Sequence, residues 1–197
     1  MTPHRRDGES KRDALLDAAQ VCFTQFGVLG AGVEEIRREA GASPSSLYHF
    51  FPDGLPDITA ALLERIFARL FTELAVRVAK KRTARSAVEA LVLGQLDWVL
   101  AHRAEARVMY QAVGIQFPAA QAKRIVVNKR RSIAPLLACF EPFVRARALP
   151  AWPAEILDVV LIGPTHEACR RLLMGAPLDV EFLRRTLPAL AWRSVSS

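Results

Sequence analysis

Leu15, Ala18, Ala19, Cys22, Phe23 and Phe26 recur at the three- and four-residue spacing of a single helical face, and Gly27 follows as a stop. The pattern predicts a first helix over residues 10–26. Gly30 and Gly32 loosen the chain before residues 33–40, a short helical segment whose Glu34 and Glu35 sit in the first turn, where the helix dipole favours them. Gly41 ends it. Ser43 is placed to cap a further helix and Pro44 suits its first position, so residues 44–50 form a second short helix. Two short helices around a tight glycine-containing turn make a helix-turn-helix. Its expected core is Ile36, Leu47 and Phe50, backed by Phe23 and Phe26 of the first helix.

Pro52, Gly54 and Pro56 break the chain again, and Asp57 is placed to cap a fourth helix carrying Leu62, Leu63, Ile66, Phe67, Leu70, Phe71 and Leu74 to about residue 78. Thr83 caps a fifth, to about residue 102, and a short sixth covers residues 105–113 before Gly114. Pro118 opens a long helix reaching about residue 147, with Ile133, Leu136, Leu137, Phe140 and Val144 on one face. Two last helices, 153–174 and 178–192, flank Gly175-Ala176-Pro177, and Pro164 and Pro188 are expected to kink them. No strand-like alternation, repeat or low-complexity tract interrupts this reading. The expected fold is all-α, with a three-helix domain over residues 1–56 and a larger helical domain over residues 57–197.

With 51% hydrophobic and 24% charged residues, a chain of 197 residues builds its core without staples. The start is polar, without the apolar stretch of a secretory signal, and the longest uncharged run, residues 108–122, falls short of the ~20 apolar residues of a membrane helix. A cytoplasmic protein with no membrane partner is expected. Cys22, Cys139 and Cys169 are odd in number and widely spaced, so buried or inert thiols are expected rather than a disulfide framework or a metal site, and no cofactor is implied. The formal charge of +7 invites a nucleic-acid partner, yet residues 1–56 hold six basic against eight acidic residues while residues 57–150 hold sixteen against seven. Net charge therefore does not point to DNA, and pattern has to.

Gly27, followed by Val33-Glu34-Glu35-Ile36-Arg37-Arg38-Glu39-Ala40-Gly41-Ala42-Ser43-Pro44-Ser45-Ser46-Leu47-Tyr48-His49-Phe50-Phe51-Pro52-Asp53-Gly54, closely resembles the DNA-binding domain of TetR-family repressors. The resemblance implies a homodimer that binds a pseudo-palindromic double-stranded DNA operator and is released from it by a small-molecule inducer. Residues 44–50 would enter the major groove while the preceding helix crosses the backbone. Gly32 and Ser43, heading the two helices, would belong to the DNA-binding set, Ser45 and Ser46 would approach base edges or phosphates, and Tyr48 and His49 would reach phosphate oxygens. Packing for Tyr48 and plain solvation for His49 are the alternatives. Arg5 and Arg6 lie in a polar arm that either meets the groove or backbone or is a disordered tail. The sequence departs from the family at Gly32, where a hydroxyl residue commonly caps, and at Leu55, where a Lys is usual.

In the larger domain the resemblance implies a ligand cavity, with Trp98, Met109, Tyr110, Phe117, Phe140 and Trp152 as candidate lining or as ordinary core. Arg103, Arg107, Lys123 and Arg124 are read as a solvated face near its entrance or as a lure for an anionic inducer. The last two helices carry Ile156, Val160, Leu161, Leu172, Leu183, Leu187 and Leu190 for a two-fold four-helix dimer seam, with Gly163 and Ala168 allowing close approach. An enzyme is disfavoured, since no phosphate loop, nucleophile elbow or metal-ligand cluster occurs and His166 and Glu167, adjacent on a helix, point about 100° apart. A family member that binds protein partners and has lost DNA binding is the other rival.

Overall fold

The computed structural model describes residues 3–112 and 114–196, with the side chains of residues 3–7 and 154 outside that description. These residues form α1 (Pro3–Phe26), α2 (Val33–Glu39), α3 (Pro44–Phe50), α4 (Leu55–Ala79), α5 (Ala84–Ala101), α6 (Arg103–Ala112), α7 (Ala119–Ala138), α8 (Glu141–Arg145), α9 (Ala154–Leu173) and α10 (Val180–Val195). No strand occurs among the described residues, so the all-α expectation holds.

The departures have local causes. Helix α1 starts at Pro3 rather than residue 10; Pro presets the first turn, and the Arg, Glu and Lys residues behind it are good helix formers. Helix α4 starts at Leu55, because the Ile58 N–H already bonds to the Gly54 carbonyl (3.0 Å) and Pro56 sits in the first turn, where its missing donor is not needed. Asp57 is thus no N-cap; its carboxylate turns back to accept the Asp53 N–H at 2.9 Å. The single long helix expected over residues 118–147 is two. Pro142 cannot donate to the Ala138 carbonyl, and the chain tightens there through Cys139 N–H to Leu136 and Phe140 N–H to Leu137, then restarts as α8. Thr83 does cap α5, exchanging bonds with Ser86 in a capping box.

The chain forms two compact units, Met1–Ile66 with Ala104–Lys129 and Phe67–Arg103 with Arg130–Ser197, so α4 and α7 each contribute one half to each. The first unit buries Leu15, Leu16, Ala19, Cys22 and Phe23 of α1, which packs on α2, together with Leu62 and Ile66 of α4 and Ala106 and Met109 of α6. Asp17 pairs with Arg65 at 2.7 Å, and the Val28 N–H is held by Gln111 Oε1 at 3.2 Å, tying α4 and α6 to α1 and its following loop. Burial pushes the Cys22 thiol up, with Glu39 and Glu35 adding to the shift, as befits an inert core thiol.

In the second unit α5 packs against α9 and α10, which also pack on each other. Val88, Leu91, Val92, Leu96 and Val99 of α5 are buried, with Leu161, Cys169 and Leu187 of the packed helices. Asp97 on α5 binds Arg77 of α4 and Arg184 of α10. Burial pushes its carboxyl up, but the bonds from the two guanidinium groups outweigh that and hold it below the usual 3.8. Stability from this group is complete above that value and is lost as pH falls through the lower folded one. Asp97→Asn should therefore cost about 1 kcal/mol in urea unfolding at pH 7, and the gap between variant and wild type should close in strong acid. A gap independent of pH would remove the ion pairs as its cause.

Candidate nucleic-acid interface

A seven-residue helix cannot stand by propensity alone, so α3 depends on its cap and its buried side. Ser43 Oγ accepts the Ser46 N–H at 3.2 Å, and Pro44 supplies the preset first residue. Leu47 is 0% exposed, and Phe51, just past the helix end, is 2% exposed with the Arg12 guanidinium 5.4 Å above its ring. The expected core residue Phe50 is only half-buried, so Phe51 is the aromatic anchor. Likewise Phe23 is buried but Phe26 is 49% exposed, so α1 supports the motif through Phe23 alone of the two.

The turn between α2 and α3 is built by glycine and arginine. Gly41 takes φ +59, a left-handed conformation that side chains resist, and lets the Ala42 N–H reach the Arg37 carbonyl at 3.0 Å. Arg37 then folds over the turn, donating to the Ala42 carbonyl at 2.9 Å and pairing with Glu34. Arg38 pairs with Glu35. Both cations of α2 are thus engaged within the motif. Gly32 heads α2 without a side-chain cap, and the Glu35 carboxylate occupies the space where a Cβ would stand.

With Leu47 turned inward, α3 presents Ser45, Tyr48 and His49 to solvent, Tyr48 being 50% exposed. Ser45 Oγ lies 3.0 Å from Ser43 Oγ, His49 stands edge-on to Phe50 with ring centroids 5.0 Å apart, and Ser46 is half-buried. After α3, Gly54 at φ +64 lets the chain pass close by, since a Cβ there would meet Val33 at 3.4 Å and Tyr48 at 3.8 Å. On the other side of α3 a cleft of about 230 Å³ is lined by Ser43, Ser46 and Gly41 together with Lys11 of α1. Lys11 was not among the residues expected from sequence; it falls outside the motif and only the fold brings it beside α3.

Residues 15–53 match the family model described as bacterial regulatory proteins, tetR family. Over these residues the chain is similar to the TetR family. An uncharacterised HTH-type transcriptional regulator of Mycobacterium tuberculosis is 36% identical over 74 residues, 38% of this chain and 36% of that protein, so the match spans about a third of the relative's length. Two solved structures share the fold over nearly the whole chain. A TetR family transcription regulator from Marinobacter aquaeolei superposes with a TM-score of 0.75 at 18% identity, covering 98% of this chain and 99% of its own. FadR from Bacillus subtilis, solved in complex with stearoyl-CoA, superposes at 0.75 and 14% identity, covering 92% and 97%.

Of the other residues expected in a TetR-type protein, Arg5 and Arg6 lie within the span of α1, and their side chains fall outside the described residues. Leu55 is half-buried at the start of α4. Met109, Tyr110 and Phe117 belong to the first unit, Met109 buried and the other two half-buried; Trp98 and Phe140 are buried in the second, where Trp152 is 40% exposed. Among the dimer candidates Leu161 and Leu187 are used in the unit's own core. Val160, Leu172 and Leu183 are half-buried, and Ile156 and Leu190 are exposed, as are Val159 and Phe182. Arg124 is no entrance charge: it is paired with Asp57 and Glu64 inside the first unit. Glu167 is held at a pKa of about 2 by hydrogen bonds from Arg170 and Arg171, which makes it a surface ion cluster. Ser43→Ala should destabilise the protein by about 1 kcal/mol in urea unfolding, and Ser45→Ala by less than about 0.5 kcal/mol. Equal effects would mean that the cap does not hold α3.

Proposed function

We propose that this chain is a sequence-specific DNA-binding transcriptional regulator, a repressor released from its operator by a small-molecule inducer. Residues 1–56 read DNA, and residues 57–197 sense the ligand and make the dimer. The observation that carries the reading is α3 itself, whose inner face is fully buried at Leu47 while Ser45, Tyr48 and His49 stand outward on a helix short enough to lie in a major groove. Ser45 and Ser46 meet base edges; Tyr48 and His49 hold phosphates. Lys11, beside Ser43 and Ser46, supplies a cation near the backbone that Leu55 does not.

The ligand reading is supported by two buried donors on α5. Trp98 Nε1 and Gln95 Nε2 have no hydrogen-bond partner among the described residues, and a desolvated donor left unpaired is costly. An apolar ligand with an acceptor oxygen would satisfy them. The Bacillus subtilis neighbour was solved with stearoyl-CoA, whose acyl chain is apolar and ends in a thioester carbonyl oxygen. Dimerisation is supported by Ile156 and Val159 on α9 and Phe182 and Leu190 on α10, apolar groups that the single chain leaves in water.

The acidic balance of residues 1–56 favours one other reading, a TetR-type protein that has given up DNA. A gel shift with duplex from the protein's own promoter region separates the two. The regulator should bind as a species of two chains by sedimentation. Tyr48→Ala should weaken binding to every sequence, whereas Ser45 and Ser46 substitutions should change which bases are preferred. No shift at low salt, or equal losses on specific and random duplex for all three variants, would refute the assignment.

A further inference from the structure

Gln121 and Arg124, one turn apart near the start of α7, reach the segment that follows the reading helix. Gln121 is 3% exposed, and its side-chain N–H group donates to Asp53 Oδ2 at 2.7 Å and Asp57 Oδ1 at 3.0 Å. Arg124 donates to the same Asp57 oxygen at 3.0 Å, to the Asp57 backbone carbonyl at 3.0 Å and to Glu64 Oε1 at 2.8 Å. Asp57 is 6% exposed and also accepts the Asp53 N–H. The α3–α4 turn at Asp53 and the first turn of α4 at Asp57 are therefore gripped by one helix.

This grip is not needed for hydrophobic cohesion, since Ile58, Leu62 and Ile66 of α4 are buried in their own right. A buried, charge-assisted network contributes geometry more reliably than net stability. Asp53 lies three residues past the end of α3, and a shift of that turn must be shared by Phe51 and Tyr48. Burial pushes the Asp57 carboxyl up, yet the donors from Gln121, Asp53 and Arg124 hold it below the usual range, so it is charged whenever the protein is folded near neutrality.

We infer that Gln121 and Arg124 are positioning residues for DNA reading: by fixing the Asp53–Asp57 turn they set the pose of α3, and with it operator affinity, without touching DNA. The inference rests on α3 being the DNA-reading helix. Helix α7 itself continues beyond Lys129 into the second unit.

The experiment measures binding of the full chain to labelled duplex from its own promoter region across a salt series. The proteins are wild type, Gln121→Met, Arg124→Met, Arg124→Lys, Asp57→Asn and the Asp57→Asn/Arg124→Met double variant, each checked for native circular dichroism. Each Met variant should bind roughly tenfold more weakly, within the usual range of coupling between sites. The slope of log affinity against log salt should stay that of wild type, because no phosphate contact is lost. Arg124→Lys should fall between wild type and Arg124→Met, and the double variant should be no weaker than Arg124→Met alone. Gln121→Met leaves Asp57 its arginine partner and is the variant that decides the matter if Arg124→Met does not fold. Wild-type affinity in folded Gln121→Met would overturn the inference, as would a salt slope shallower by about one in Arg124→Met, which would make Arg124 a direct phosphate contact. Failure of the wild type to bind the duplex at all would instead overturn the DNA-reading assignment beneath it.

Discussion

A helix of seven residues has no independent existence, and everything distinctive in this molecule follows from holding α3 in place. Leu47 and Phe51 supply the inward force, Ser43 and Pro44 fix the start, and Gly41 and Gly54 allow the chain to turn sharply on either side. The surrounding elements read as supports. α1 contributes Phe23 below and Arg12 over the Phe51 ring, α2 contributes Ile36, and α7 grips the exit turn through Gln121 and Arg124. What is left outward is polar, namely Ser45, Tyr48 and His49, groups that can hydrogen-bond to a duplex.

Electrostatics play an unusual part. Arg37 and Arg38 are committed to Glu34, Glu35 and the turn carbonyl, so the cations of α2 serve architecture. With eight acidic residues against six basic over residues 1–56, this segment has little generic attraction for DNA. On the proposed reading, recognition would then lean on hydroxyl, phenol and imidazole contacts and on the pose of α3.

The legible parts of the fold were the local ones. Ser43, Pro44, Thr83 and the glycines at 27 and 41 act on their immediate neighbours, so the bounds of α3 and α5 could be read from spacing and capping chemistry. Adjacent aromatics were not separable: Phe50 and Phe51 have the same chemistry, and the helix end decides which one turns inward. The α7–α8 break hid because an apolar face continues through Phe140 and Val144, while Pro142, the residue that forbids continuation, lies off it. Gln121 gave no signal, and Arg124 was legible only as a charge beside the expected cavity entrance. Their partners lie 60 to 68 residues away, and no period or motif connects them. Lys11 was illegible for the same reason, standing outside the motif it joins in space.

The central claim is that α3 reads the major groove, and methylation protection at guanine N7, which faces that groove, tests it most directly. On duplex from the protein's own promoter region, the wild-type chain should protect two clusters of guanines centred about 34 Å apart, or somewhat more, on one face of the helix. Protection should fade when Ser46 is replaced by a bulky side chain. Retarded DNA with every guanine N7 still reactive would contradict the account, because the chain would then be held by phosphates or the minor groove and α3 would not be its reading element.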